Sequence, residues 1–256
     1  MRGKTLIKLG LLLLSTGSLL AGASQRADTK SFPYQAGDTL VVENDYGRVR
    51  VSTWDSPMIE VSIREIAVEE SQLENVAVIS QKVGKRIFLR SYFYSYSSES
   101  VYIDVQAPRD LNLIVWGANP AVEIYNVGGS VRVQTLTGFV TVENLYASAS
   151  LFTEDGNILF RSAVQPSGDI RLESTRGNIT CRVIENLNLR GWVRAGSTIS
   201  WNREIELSEG SLEKQIGVGG PLLLASSTKG KVDFRIESEI KSQADLSVRV
   251  PNPVND

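Results

Sequence analysis

Four carboxylates, one thiol and a run of tyrosines are the groups in this 256-residue chain whose types and spacing could do chemistry. Glu154, Asp155, Asp169 and Glu173 lie close enough in sequence to supply the two acids, about 5–10 Å apart, that glycoside cleavage requires. Each also has a plainer use. Asp155 precedes Gly156 as a turn residue does, and Arg171 and Arg176 are near enough to pair with the acids. Calcium at the same turns would need clustered oxygen ligands, and no Asp-x-Asp or glycine-aspartate array is present. No catalytic or metal-ligating residue is assigned. Cys181 stands in an alternating apolar stretch and is expected to behave as a small core hydrophobe rather than a reactive thiol. In Tyr92-Phe93-Tyr94-Ser95-Tyr96, strand alternation would set Tyr92, Tyr94 and Tyr96 on one face, where they could stack on sugar rings or anchor a protein.

The absences exclude more. The chain has no histidine, so it holds no Ser-His-Asp or Cys-His pair, no His-ligated zinc and no imidazole base. A single cysteine excludes an internal disulfide and every multi-cysteine metal site. Gly217-Val218-Gly219-Gly220 is rich in glycine, but no helix pattern follows it to cradle a phosphate, and it reads as a loop. No cofactor is expected. Trp54, Trp116, Trp192 and Trp201 are scattered, with core or end packing as their default use.

The first residues read as a secretory signal peptide. Arg2, Lys4 and Lys8 form a basic start, Leu9 to Leu20 an apolar stretch, and Ala21-Gly22-Ala23 a cleavage site. About twelve apolar residues fall short of the roughly 20 that a spanning helix needs, and no later run approaches that length. Cleavage after Ala23 takes away three positive charges and no negative ones, leaving a net charge of −5 on 233 residues. A mildly acidic chain of this kind is a poor match for nucleic acid. A secreted or periplasmic location is expected, and the scarcity of thiols suits it.

The elements that must position these groups are read from a repeat, Gly-x-apolar-x-apolar. It starts at Gly47, Gly129, Gly138, Gly156, Gly168, Gly177 and Gly230, as in Gly156-Asn-Ile158-Leu-Phe160 and Gly177-Asn-Ile179-Thr-Cys181. Alternation with period two marks a strand with one buried face, and the glycine before it marks a turn. Gly196-Ser-Thr-Ile199 places its apolar residue one step late. Many short strands at regular spacing, with no convincing helix, make the chain all-β. A β-solenoid, single-stranded and β-helix-like, satisfies the text, as does an antiparallel β-sandwich. A recurring coil of about 18–20 residues favours the solenoid. Before the repeat, Thr39–Val42, Arg48–Trp54, Met58–Ile66, Arg86–Arg90 and Val101–Val105 read as strands. Glu69–Ser80 fits helix or strand equally. The expected organisation is a signal peptide over 1–23, a β-rich segment over 24–108 continuous with a repeat domain over 109–246, and a tail over 247–256.

Several residues together carry a family resemblance. A strand–Gly–strand opening is followed by Trp54-Asp55, then by a charged segment, a strand closing on Ala107-Pro108, and the run of Gly-[Asp/Asn/Ser]-[Ile/Val] units. Gly168-Asp169-Ile170 is the nearest copy of the recurring tripeptide. This layout resembles the bacterial putative-adhesin family, domains of unknown function in exported proteins of predicted β-solenoid type. The resemblance implies a non-enzymatic scaffold that meets a protein or glycan partner at the cell envelope, and it transfers no catalytic residue. A carbohydrate-binding or carbohydrate-cleaving protein on the same scaffold is the alternative.

Overall fold

The computed structural model describes residues 23–94 and 98–240. The expected signal peptide up to Gly22, Tyr96 and the expected tail lie outside them. The described chain is all-β, and its one helical element is a single 3-10 segment, Glu70–Asn75. That segment resolves the ambiguous stretch: a helical turn that buries Leu73 runs straight into a strand.

Seven strands come first: β1 (Ser24–Pro33), β2 (Thr39–Glu43), β3 (Tyr46–Trp54), β4 (Met58–Ala67), β5 (Val76–Val83), β6 (Arg86–Phe93) and β7 (Ser100–Pro108). The repeat region continues with β8 (Asn112–Gly117), β9 (Asn119–Tyr125), β10 (Val131–Thr135), β11 (Val140–Glu143), β12 (Ala149–Thr153), β13 (Ile158–Ser162), β14 (Ile170–Ser174) and β15 (Ile179–Ile184). It closes with β16 (Leu189–Ala195), β17 (Ile199–Trp201), β18 (Ile205–Leu207), β19 (Gly210–Ile216), β20 (Leu222–Ser227) and β21 (Val232–Glu237).

These strands form two mixed, open sheets. The first has the order β1-β4-β7-β3-β9-β11-β13-β15-β21-β17-β18, the second β19-β16-β20-β14-β12-β10-β8-β2-β6-β5. Consecutive strands from β8 to β15 alternate between the sheets, so each second-sheet strand and its successor make one rung. Every rung pairs in parallel with the next. Val131 faces Ala149 and Ala149 faces Ile170, while Val140 faces Ile158 and Ile158 faces Ile179. Antiparallel pairing is confined to the ends, in β1–β4, β4–β7 and β5–β6 at one and β16–β19 and β17–β18 at the other.

Parallel registry stacks like positions, and this is why the repeat alternates as it does. One inward column runs Val51, Ile124, Val142, Phe160, Cys181, Phe234, Trp201, all buried. Another runs Val42, Val115, Val133, Leu151, Leu172, Ala225, Val193. The two sets of inward side chains share one core. Trp201 enters it beside Gly191, where a Cβ would collide with the indole, and stacks on Phe234 with ring centroids 4.1 Å apart. Trp116, in contrast, points outward from β8 and is 40% exposed, so core packing does not hold for it. Strand alternation requires this, because Val115 takes the inward position.

Rung order in space departs from rung order in sequence at both ends. The β20/β21 rung sits between β14/β15 and β16/β17, although β16 and β17 precede it in the chain. The β2/β3 rung likewise sits between β6/β7 and β8/β9. The late copy at Gly230 therefore aligns with Gly177, and the irregular segment at Gly196 belongs to the outermost rung.

Candidate functional site

The repeat glycines fall into two corners of the stack. Gly47, Gly138, Gly156, Gly177 and Gly230 share one, at the entry to first-sheet strands; Gly129 and Gly168 precede second-sheet strands at the other. At Gly156 and Gly177 a Cβ would lie inside contact distance of the carbonyl oxygen one rung away, so only glycine lets the rungs approach. A hydroxyl seals each of these corners from three residues upstream. The Gly156 N–H donates to Thr153 Oγ1 (2.9 Å), the Gly177 N–H to Ser174 Oγ (2.8 Å) and the Gly230 N–H to Ser227 Oγ (2.9 Å). Ser174 and Ser227 donate onward to the carbonyl oxygens of Gly156 (3.1 Å) and Gly177 (2.7 Å).

The residue after the glycine is tied in as well. Asn157 Oδ1 accepts the Asn178 N–H (2.7 Å), Asn178 Oδ1 accepts the Lys231 N–H (2.9 Å), and Asp169 Oδ1 accepts the Leu222 N–H (2.8 Å). The Gly-Asn and Gly-Asp pairs thus carry cross-rung hydrogen bonds. This is a structural use that the alternation alone did not reveal.

It also settles where the four acids go. Asp169 precedes β14, whereas Glu154 and Asp155 follow β12 at the opposite strand end, a strand length of roughly 16 Å away at about 3.3 Å per residue. Arg176 clasps both Glu154 (3.3 Å) and Asp155 (3.2 Å), and Asp155 raises the guanidinium pKa above its ordinary value. Glu173 points outward from β14, beside Phe152 and Ser226. The structure spreads the four over both strand ends and one flank. Among the described residues, no group of three or more His, Cys, Asp or Glu is placed to hold a metal ion.

Cys181 is fully buried between Phe160 and Phe234, and burial pushes its thiol pKa strongly up. The tyrosine run divides at the end of β6. Tyr92 lies within the strand, whereas Tyr94 follows its end and is 69% exposed.

The two outer flanks differ in chemistry. The first sheet presents ion pairs laid across neighbouring strands, Arg48 and Arg64 on Asp104 (2.8 and 3.3 Å) and Arg161 on Glu143 (2.9 Å), and one along β21, Arg235 on Asp233 (2.6 Å). Tyr125 lies among them with the Arg50 guanidinium 5.3 Å from its ring centroid, and burial pushes its pKa up to about 12. The second sheet, at its β5–β6–β2 end, holds a shallow cavity of about 370 Å³ lined by Val41, Glu43, Ile79, Gln81, Phe88, Leu89, Arg90 and Tyr92. Within it Arg90 pairs with Glu43, extends Nη1 towards the Tyr92 hydroxyl (3.4 Å), and lies 5.9 Å from the Tyr92 ring centroid. Tyr92 was readable as a candidate. Glu43 and Gln81 were not, because they reach β6, which carries Phe88 and Tyr92, only through the pairing of β2 and β5.

No family model matches the chain, and no curated protein matches it. Solved structures do. A putative cell adhesion protein from Clostridium sporogenes is similar over 84% of this chain and 100% of its own, with a TM-score of 0.51 at 9% identity. A putative adhesin from Bacteroides fragilis covers 84% and 98% at 14% identity, with a TM-score of 0.29, and one from Parabacteroides distasonis covers 82% and 97% at 14%, with a TM-score of 0.23. The first likeness is one of fold alone. No helix among the described residues is long and apolar enough to cross a membrane.

Proposed function

We propose that the protein is an exported, non-enzymatic β-solenoid scaffold of the adhesin-like kind, which presents its flanks to a protein or glycan partner at the cell envelope. The observation that carries this reading is the use made of the repeat. Its inward positions pack the core, and its corner glycines, hydroxyls and asparagines bind rung to rung. What is left for contact is the outer surface of a rigid stack. The fold likeness to a protein named for cell adhesion supports the reading, and the signal-like N-terminus supports export. The carbohydrate-cleaving alternative loses its acid pair, because the four carboxylates do not converge. The carbohydrate-binding alternative is favoured by the cavity at Tyr92.

The test is localisation joined to capture. The full chain should be recovered outside the cytoplasm, shortened at its N-terminus, and the labelled protein should bind intact cells or envelope extract saturably. Cytoplasmic retention of the full chain, or no saturable binding to any envelope fraction, would overturn the proposal.

A further inference from the structure

The second sheet's outer face has a property that packing does not require. Val41 points away from the core, between Phe88 of β6 and Ile114 of β8, yet it is only 4% exposed. Its neighbours rise around it and make it the floor of the cavity. Phe88 and Tyr92 lie on one strand with Arg90 between them, all on the outward face. Arg90 and Glu43, the two ionised groups of the lining, are paired with each other. Gln81 adds an amide from β5.

We infer that this cavity is a binding site for a neutral pyranose unit of a glycan, with Tyr92 and Phe88 meeting the apolar ring face and Glu43, Gln81 and Arg90 meeting hydroxyls. The inference rests on the scaffold reading above and names the ligand class and the site. Three features select this occupant. The paired Glu43 and Arg90 leave no net charge, so an ionised ligand gains nothing from the site's field, while a hydroxyl can give a hydrogen bond to the carboxylate and take one from the guanidinium. A volume of about 370 Å³ lies near the lower end of the usual range for small-ligand sites, roughly 300–1,000 Å³. Trp116, paired across the sheet from Glu43 and 40% exposed, continues the aromatic surface and gives a second ring of the same chain a place to lie.

The test is a set of neutral oligosaccharides (cello-, malto-, chito- and mannotetraose) titrated calorimetrically into the full exported chain. Galacturonic acid tetramer serves as the charged comparison. At least one neutral tetramer should bind. Tyr92→Ala and Glu43→Gln should each weaken it about tenfold, as loss of a ring contact or a charged hydrogen bond implies. Arg182→Ala, on the opposite flank, should leave binding unchanged. Circular dichroism identifies any variant that fails to fold, and Trp116→Ala then serves as the second probe, with a smaller loss expected. The inference is overturned by failure of every neutral tetramer at millimolar concentration, by preference for the acidic tetramer, or by binding that ignores the folded Tyr92 and Glu43 variants. It is also overturned if Ile79→Lys abolishes self-association in sedimentation, since a second copy would then be the occupant. Saturable binding to cells that persists in Tyr92→Ala leaves the scaffold reading standing and removes only this site.

Discussion

Ending the chain before β20, at Pro221, puts the interleaved rung order to a direct test. In a stack built in sequence order this deletion would trim an end rung and leave the rest intact. Here it empties a slot between β14/β15 and β16/β17. The rung removed buries Leu223, Ala225, Val232 and Phe234 to 0–1% exposure. At about 1.5–3 kcal/mol for each of the three larger side chains, the lost transfer free energy is roughly 5–9 kcal/mol, before counting the faces it uncovers on both neighbours. The whole stability of a domain is about 5–15 kcal/mol. Sliding β16/β17 into the slot does not repair it, for Gly191 would stand where Leu223 stood and Ala195 where Ser227 accepts and donates its corner bonds. A chain ending at Ile240 is the reference. Urea unfolding followed by circular dichroism should show a cooperative transition for the reference and none, or one displaced by several kcal/mol, for the shorter chain. A cooperative transition within about 1 kcal/mol of the reference would refute the interleaving argument.

Smaller changes give graded expectations. Ser227→Ala orphans the buried Gly230 N–H and deprives the Gly177 carbonyl of its donor, so it should cost about 1–3 kcal/mol in thermal or urea melts, while Ser226→Ala beside it should stay within about 0.5 kcal/mol. Cys181 should resist a bulky disulfide reagent in the folded state and react at the rate of unfolding; fast native labelling would contradict its burial. Arg161→Ala removes a charged hydrogen bond to Glu143, 2% exposed, and should destabilise by about 1–3 kcal/mol in denaturant melts. Tyr125 titrates near 12 when folded against about 10 when unfolded, so between those values the unfolded state binds fewer protons and stability falls as pH rises. Tyr125→Phe should make that fall shallower in melts from about pH 9 to 12.

The strands themselves were legible, because a residue pair such as Ile179 and Cys181 can alternate only if one face is buried. Their spatial order was not. Alternation is a local property, whereas the partner of β15, β21, lies beyond five intervening strands and cannot be read from neighbouring text. One signal did exist: Thr153, Ser174 and Ser227 each stand three residues before a corner glycine, but Ala195 directly precedes Gly196. That difference separates the inserted rung from the outermost one. The site was half legible for the same reason. Tyr92 announces itself within an aromatic run and Phe88 shares its strand, but Glu43 and Gln81 reach them only through the pairing of β2 and β5 with β6.

The placement of β21 also decides how the molecule bears a load. A pull transmitted through Ile240 reaches β21 directly, and β21 is hydrogen-bonded in parallel on both sides, to β15 and to β17. Force along the strand loads those two ladders together in shear, rather than opening bonds one after another from a free edge. The outermost rung, which would peel first in a sequential stack, is bypassed. A protein that must hold its partner under flow would gain from being tethered at that end.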